Sequence, residues 1–332
     1  MLDPAPPTVA TAPPESHAAA LEVRGLRKRY GKVDVLRGLD LTVEPGEVYG
    51  FLGRNGAGKT TTIRILVGIA RADAGAIRLQ GALVHGAAVA QRRHIGYVAQ
   101  EQSFYGWMTP ATIGDFVRGF YPTWDDREYA RLVTALDLPQ RKIRTFSGGM
   151  KAKLALALAL AHHPPLLILD EPTAGLDPVS RHEFLEMVRA EADRARRTTF
   201  FSSHILSEVE AVADRVGIID DGRMRYEGGW RELAERVRIL RLPAVDAELA
   251  PGTVPAPLLA PESGFQILQA RLRRGQHEVV LRGPDAAAFD ALLAQVSPWT
   301  LESLTLEEIF IEMVSRPVER LEAAVRVAPS PG

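Results

Sequence analysis

The sequence carries GRNGAGKTT at residues 53–61, directly after the apolar run VYGFLG at residues 48–53. A glycine, four residues and then Gly58, Lys59 and Thr60 is the spacing of a phosphate-binding loop. The backbone N–H groups of such a loop, with the N-terminus of the next helix, hold the α- and β-phosphates of a nucleotide. Apolar residues at helical spacing follow the loop. Strand, loop and helix therefore occur in the order that supports the motif, and a ligand-free glycine-rich turn is disfavoured.

Each position of this loop has an expected task. Lys59 should reach the β- and γ-phosphates, and the Thr60 hydroxyl should bind Mg²⁺. The remaining expected nucleotide contacts are Gly53, Arg54, Asn55, Gly56, Ala57, Gly58 and Thr61.

A second motif, LLILDEP at residues 166–172, follows far along the chain. Its all-apolar run predicts a strand in a parallel sheet covered on both faces. Asp170 at the end of this strand should lie beside the loop and hold Mg²⁺. Glu171 should orient the attacking water and accept its proton. On its own the pair could equally be a solvated acidic turn; together with the loop it predicts nucleotide hydrolysis.

The stretch FSGGMKAKLALALAL at residues 146–160 has two adjacent glycines behind a serine. Its alternation has period two, as in a strand, but both alternating residues are apolar and both are strong helix formers. We therefore predict a buried helix. The N-terminus of this helix is suited to an anion, which raises the question of why one chain has two phosphate-binding elements.

The composition of the 332 residues excludes several classes of protein. A formal net charge of −1 gives no overall positive field, so no nucleic-acid partner is expected. The absence of cysteine excludes disulfides and thiolate metal sites. The apolar stretch from Leu154 is interrupted by residues 162–165, well short of the ~20 residues that a bilayer requires. We interpret His162 and His163 there as surface turn residues.

Read in order, the motifs resemble those of the nucleotide-binding subunits of the ATP-binding cassette (ABC) family, over about residues 21–230. The resemblance implies an α/β fold with a P-loop NTPase core, an antiparallel β subdomain and a helical subdomain at about residues 101–160. Beyond the two motifs above, it rests on RKRYGKVDVL with Tyr30, YVAQE with Gln100, FSGGM with Ser147, AGLDP with Asp177, and SSHILSE with His204.

The resemblance assigns a task to each of these residues. Tyr30 would stack on adenine, and Gln100 would bind Mg²⁺ and link it to the helical subdomain. Asp177 would lie in the dimer-contact loop, and His204 would contact the γ-phosphate.

In this family two subunits pack head to tail, which would explain the two phosphate-binding elements. Ser147, Gly148 and Gly149 of one subunit would cover the γ-phosphate held by the loop of the other. Phe146 and Met150 depart from the commonest signature, which has leucine and glutamine there. The Ser-Gly-Gly core is intact, so activity is expected.

The chain is expected to divide into several parts. Residues 1–19, rich in Pro and Ala, should form a disordered tail. The ATPase domain should span residues 20–236, and a small accessory α/β domain residues 237–316, after a Pro/Ala-rich loop from Ala244 to about Pro261. Residues 317–332 should form a flexible tail. Thr305 and Glu308 have capping-box spacing in the last helix.

The implied function is that of an ATPase subunit, with ATP and Mg²⁺, at the cytoplasmic face of the cell membrane. It would act as a homodimer or heterodimer of nucleotide-binding subunits on a separately encoded integral membrane permease. SLTLEEIFIEMV near the C-terminus resembles exporter ATPases of the multidrug, antibiotic-resistance and lipid-export type, and FYPTWD is similar to a related bacterial branch. The aromatic segment at residues 101–125 is expected to form either subdomain core or a groove for a helix of the membrane subunit.

Two alternatives are a soluble ABC protein of the repair or translation type and an ATPase regulated by a C-terminal ligand-binding module. Repair members insert long coiled coils, and this chain has no such heptads. Translation members carry two cassettes in one chain, whereas this chain has one phosphate loop.

Overall fold

The computed structural model describes residues 18–84, 92–243, 253–260, 263–296, 298–314 and 326–327. The predicted tail at residues 1–19 lies outside these ranges apart from residues 18 and 19, as does most of the Pro/Ala-rich loop. The predicted tail at residues 317–332 also lies outside them, apart from Arg326–Val327, which pairs in parallel with Thr253–Val254.

The described elements alternate between strands and helices. The strands are β1 (Leu21–Tyr30), β2 (Val33–Val43), β3 (Val48–Gly53), β4 (Ala74–Leu79), β5 (Ala82–Leu83), β6 (Ile95–Val98), β7 (Leu166–Asp170), β8 (Thr198–Ser203), β9 (Arg215–Asp220), β10 (Arg223–Gly228), β11 (Val237–Pro243), β12 (Thr253–Val254), β13 (Gln266–Arg273), β14 (Gln276–Arg282), β15 (Thr300–Ser303) and β16 (Arg326–Val327). The helices are α1 (Lys59–Leu66), α2 (Pro110–Arg118), α3 (Asp126–Ala135), α4 (Gly148–Leu160), α5 (Pro178–Ala195), α6 (Leu206–Val212), α7 (Trp230–Arg236), α8 (Ala286–Leu293) and α9 (Leu306–Val314), with short 3₁₀ turns at Ile143–Thr145 and Ala256–Leu259.

A six-stranded sheet with the order β10-β9-β3-β8-β7-β6 forms the centre of the ATPase domain. All its neighbouring strands run parallel except the β9–β10 hairpin, which turns through Asp221 and Gly222. The strands β3, β7 and β8 are buried along their whole length because both faces of the sheet are covered. The predicted P-loop core is confirmed.

Two hydrophobic cores lie on opposite faces of this sheet. On one face, Tyr49 and Phe51 of β3 pack with α1 and with the antiparallel sheet β2-β1-β4-β5. On the other face, Val48 and Leu52 pack with the helices of residues 101–160. The predicted antiparallel and helical subdomains are therefore both present.

The Ala/Leu run forms a helix, as predicted. Within α4, the side chains of Leu154, Leu156 and Leu160 are fully buried. Ser147 caps the helix, because its Oγ accepts a hydrogen bond from the N–H of Met150 at 3.2 Å. An apolar surface on every side of the helix is what a position inside the second core requires.

Beyond Arg236 the chain forms a four-stranded antiparallel sheet with the order β13-β14-β11-β15. The predicted hairpin is β13–β14, and the predicted helices are α8 and α9. The capping box is present, since the Thr305 N–H donates to Glu308 Oε2 at 2.8 Å and the Glu308 N–H donates to Thr305 Oγ1 at 3.2 Å. The edge strand β15 was not anticipated from the sequence.

The interpretation of His162 as a surface residue is wrong. His162 is 2% exposed, and its ring stacks on Tyr121 with 4.0 Å between ring centres. Burial, reinforced by the nearby charge of Arg197, lowers the pKa of His162 to about 4. His163 does lie at the surface, where its Nε2 is 3.1 Å from Asp125 Oδ2. The apolar helix that precedes the pair carries the first histidine into the core.

This burial predicts an acid sensitivity of the fold. The unfolded chain binds a proton at His162 below pH ~6.5, whereas the folded chain does so only near pH 4. Stability therefore falls as the pH falls through this window, by roughly 2–3 kcal/mol between pH 7 and 4.5. His162→Phe should remove this component, and His94→Asn, a change of an exposed histidine, should keep it. The measurement is the free energy of unfolding in urea at several pH values; an unchanged pH dependence in His162→Phe would contradict the expectation.

Candidate functional site

The parallel sheet brings several predicted site residues to one edge. Parallel strands place their carboxyl ends together, and ligands bind in the crevice outside those ends. The loop follows β3, Gln100 follows β6, Asp170 ends β7, and His204 follows β8. Residues that are more than one hundred positions apart in the sequence thus meet because of strand order alone.

The loop after β3 leads directly into α1. Gly58 caps this helix with φ of 113°, and a Cβ placed there would lie 2.7 Å from Leu36 Cδ2. Both constraints require glycine. The Lys59 side chain turns back under the loop, and its Nζ donates to the carbonyls of Gly53 at 2.7 Å and Arg54 at 3.3 Å. The loop is therefore shaped around its own lysine.

Glu171 connects the loop to the other strands. Its Oε1 lies 3.2 Å from Lys59 Nζ, and its Oε2 lies 3.1 Å from His204 Nδ1 and 3.4 Å from Gln100 Nε2. Lys59 and Glu171 are both buried, at 4% and 8% exposure. A buried charge is tolerated when it is paired, so each of these two groups compensates the other.

The backbone of Glu171 is also unusual. Its φ is 44°, in the left-handed region that costs a non-glycine residue on the order of 1–3 kcal/mol. The surrounding contacts hold this conformation: the Glu171 N–H donates to Ser202 Oγ at 3.0 Å, and the Ala174 N–H donates to the Glu171 carbonyl at 3.0 Å. The sharp turn directs the carboxylate back toward the loop.

Asp170 lies behind Glu171 and is 2% exposed. Ser202 donates to its Oδ1 at 2.9 Å. Burial raises the pKa of Asp170, the Ser202 hydrogen bond opposes this shift, and the neighbouring charge of Glu171 adds to it. The carboxylate is thus held in an environment that disfavours its negative charge unless a cation comes close.

A cleft of about 620 Å³ contains most of these groups. Its lining residues are Val35, Arg54, Asn55, Gly56, Gly58, Lys59, Thr60, Thr61, Gln100, Glu171, Ala174, Gly175, Arg181, His204 and Ile205. Gly53 and Ala57 lie beneath the loop and do not line the cleft. The structure thus brings the loop, Gln100, Glu171 and His204 together in one open site.

Tyr30 lies apart from this cleft. It ends β1, is 48% exposed, and has the Lys28 Nζ 5.1 Å from the centre of its ring. The exposed face of an aromatic ring at this position remains open to a planar ligand.

The predicted signature and dimer-contact segments lie next to each other within the chain. A Cβ at Gly149 would lie 3.1 Å from Ser180 Oγ, which itself donates to Asp177 Oδ2 at 2.6 Å. Asp177 caps α5, as Ser147 caps α4. Within the part of the chain that the structure describes, the cleft is not lined by Ser147, Gly148, Gly149 or Asp177.

The sequence did not reveal three contributors to the site. Ser202 holds both Asp170 and the backbone of Glu171, Arg181 lines the cleft, and Val35 borders the loop. The spacing of Arg181 four residues after Asp177 would have placed both on one helical face, but nothing in the sequence marked that face as the one toward the cleft.

The chain is similar to known proteins over most of its length. The ABC transporter family model matches residues 36–174. The linearmycin resistance ATP-binding protein of Bacillus subtilis is 37% identical over 223 residues, which cover 65% of this chain and 71% of that protein. The daunorubicin/doxorubicin resistance ATP-binding protein of Streptomyces peucetius is 33% identical over 320 residues, which cover 90% of this chain and 94% of that protein.

A solved structure of an ATP-binding subunit of an ABC transporter agrees with the fold. It is 30% identical, superposes with a TM-score of 0.57, and covers 63% of this chain and 90% of its own. Among the residues that the structure describes, no helix is long and apolar enough to cross a bilayer. The predicted relation to resistance-exporter ATPases is confirmed, and the chain belongs to the ABC transporter family as an ATP-binding subunit that hydrolyses ATP.

Proposed function

We propose that the cleft formed by the loop, Gln100, Glu171 and His204 is the site of hydrolysis. The observation that supports this most directly is the carboxylate of Glu171, within 3.2 Å of Lys59 Nζ and 3.1 Å of His204 Nδ1. When ATP binds, Lys59 contacts the β- and γ-phosphates in place of Glu171. The released carboxylate then orients water and accepts its proton, and His204 contacts the γ-phosphate.

The residues around Asp170 fit a Mg²⁺ ion. Thr60, Gln100 and Asp170 offer a hydroxyl, an amide and a carboxylate, which are the oxygen ligands that Mg²⁺ prefers. Because this set contains a single carboxylate, phosphate oxygens of bound ATP would supply further ligands. Bound there, Mg²⁺ would neutralise the developing phosphate charge. The raised pKa of Asp170 is consistent with a carboxylate that a cation restores to its charged form.

The complete site requires a second nucleotide-binding subunit. Ser147 Oγ accepts from Met150, which leaves its hydroxyl proton available to a phosphate oxygen. Gly148 is exposed and adds no side chain at the N-terminus of α4, whereas Gly149 is buried beside Ser180. The positive end of the α4 dipole is therefore not covered by a side chain at Gly148. Ser147 and both glycines do not line the cleft of their own chain, so we assign them to the γ-phosphate held by the partner subunit. Tyr30 is assigned to the adenine.

The chain is proposed to act at the cytoplasmic face of the cell membrane, on a separately encoded permease. Its relatives are named as antibiotic and drug resistance proteins, which favours export. The contact with the permease is assigned to an aromatic surface of α2 and the loops on either side of it. Its members are exposed, with 5.3–6.2 Å between the centres of neighbouring rings: Tyr105, Trp107, Phe116 and Phe120.

Residues 237–316 are proposed to be an accessory domain that folds on its own core but rests on the ATPase domain. Leu240, Val279 and Trp299 belong to that separate core. In contrast, Ile239 and Phe310 pack into the core of the ATPase domain. The boundary is thus a docked contact rather than an open linker.

Glu171→Gln should bind ATP but hydrolyse it about 10²–10⁴-fold more slowly, because the amide cannot accept a proton from water. Glu183→Gln, a change of a surface carboxylate on α5, should leave turnover unaltered. Both are measured as phosphate release, with ATP binding followed separately. Near-normal turnover in Glu171→Gln would remove Glu171 from the role of base.

The composite site predicts complementation between two inactive chains. Ser147→Arg blocks the signature and Lys59→Ala disables the loop, so each homodimer has two damaged sites. A mixed dimer has one whole site, formed by the loop of the first chain and the signature of the second. In a Glu171→Gln background, ATP should therefore associate differently tagged copies of the two mutants.

The matched control replaces the second chain by one that carries both Ser147→Arg and Lys59→Ala. This pair contains no whole site and should not associate. If Ser147 served the nucleotide of its own chain, the original pair of mutants would also fail to associate. That result, with all chains shown to be folded, would refute the head-to-tail arrangement.

A chain that ends at Arg236 should fold and bind ATP, because both faces of its central sheet remain covered. It should unfold at a lower temperature, since removal of Ile239 and Phe310 uncovers part of its core. Thermal unfolding with and without ATP measures both properties. Loss of the cooperative transition would show that residues 237–316 are required for folding.

A further inference from the structure

A buried carboxylate beneath the cleft has no part in the reaction described above. Glu208 lies in the first turn of α6 and is 2% exposed. Thr173 Oγ1 donates to its Oε1 at 2.6 Å, and Ser203 Oγ donates to its Oε2 at 2.5 Å. Arg181 Nε lies 3.4 Å from Oε1. The two hydroxyl hydrogen bonds are short, and hydrogen bonds to a charged oxygen are among the stronger ones in proteins.

The three partners of Glu208 come from three separate segments of the site: a turn after β7, the end of β8 and the helix α5. Thr173 follows Glu171 by two residues, and Ser203 directly precedes His204. Arg181 lies one helical turn after Asp177 on α5. One carboxylate therefore holds the segments of the proposed base, the proposed phosphate-contacting histidine and the dimer-contact loop in a fixed arrangement.

Arg181 is the cation of this cluster, and it also reaches the cleft. Its side chain is 31% exposed and is part of the cleft lining, whereas Glu208 is buried. Arg181 is the cation that contacts this buried carboxylate, so its removal would leave a buried charge without compensation. The contact between Arg181 and Glu208 thus stabilises the arrangement in which α5, α6 and the turn after β7 lie together.

We propose that Arg181 and Glu208 are positioning residues for hydrolysis, which rests on the function proposed above for Glu171 and His204. They fix these two side chains relative to the Asp177 segment. When a second subunit presses on Asp177, α5 and Arg181 transmit the displacement to Glu208, and from there to the turns that carry Glu171 and His204. Hydrolysis is thereby coupled to closure of the dimer.

The test separates positioning from stability with a pair of substitutions. In the full chain, Arg181→Met leaves Glu208 as a buried unpaired charge, and Glu208→Gln leaves Arg181 without its anion. The double variant removes both charges together. It should therefore recover stability that Arg181→Met loses, as judged by thermal unfolding.

Turnover should stay low in the double variant, although its stability recovers. Each single variant and the double variant should show kcat on the order of 10- to 100-fold below the unsubstituted chain, because misplacement by about 1 Å is enough for such a loss. In Glu208→Gln, binding of ATP to the isolated chain should change by less than about threefold, since neither the loop nor any other residue that lines the cleft is substituted. Asp193→Asn, which removes an exposed partner of Arg189 on the same helix, should leave kcat unaltered.

Two results would overturn the proposal. Recovery of kcat together with stability in the double variant would show that the pair serves folding alone. Unaltered kcat in a folded Glu208→Gln variant would exclude any role in positioning. Glu171→Gln and His204→Ala are assayed in parallel. If these two variants retain turnover, the proposed function itself fails. If they lose turnover while the double variant of Arg181 and Glu208 keeps it, only the positioning role is refuted.

Discussion

The buried ion pair between Lys59 and Glu171 is the constraint on which the nucleotide site depends. Neither charge would be stable at its depth without the other. The loop brings the ammonium from the end of β3, and the left-handed turn at Glu171 brings the carboxylate from the end of β7. The strand order places these two ends within reach, with β8 between them supplying Ser202 and His204. In the proposed mechanism, a γ-phosphate would replace Glu171 as the partner of Lys59, so binding of ATP would release the proposed base.

The location of the Ser147 segment would explain why the proposed site needs a second chain. Ser147 and Asp177 cap neighbouring helices, and the contact between Gly149 and Ser180 holds the two caps together. Gly148 adds no side-chain bulk to the surface that these two caps form. This surface does not line the cleft of its own chain, so in the proposed arrangement each subunit would contribute half of one site and the opposite half of the other. Two copies related head to tail would then complete two sites.

The sequence predicted the parts of the site that depend on local pattern. The loop, the strand that ends at Asp170 and the α4 helix all follow from spacing and propensity within about fifteen residues. It did not predict the burial of His162, because the stacking partner Tyr121 lies 41 positions away. Glu208 was equally hidden: α6 is a short helix, and its acidic first turn has the appearance of a solvated surface. Only the packing of α5 and α6 against β8 turns that carboxylate inward. The sequence also did not reveal the strand β15 of the accessory sheet. It is a short edge strand, and its pairing with β11 is set by the tertiary fold.

The two hydrophobic cores support different parts of the proposed composite site. Ala57 and Ile63, which support the phosphate loop, belong to the core shared with the antiparallel sheet. Phe146 and Leu154, which support the signature, belong to the other core, and so do Ile239 and Phe310 of the accessory domain. Close-packed interiors transmit displacement rather than absorb it. In the proposed dimer, a displacement of the accessory domain would therefore reach first the signature segment that a chain offers to its partner, because Ile239 and Phe310 share the core of that segment. It would reach less directly the loop that holds the chain's own nucleotide, which rests on the other core.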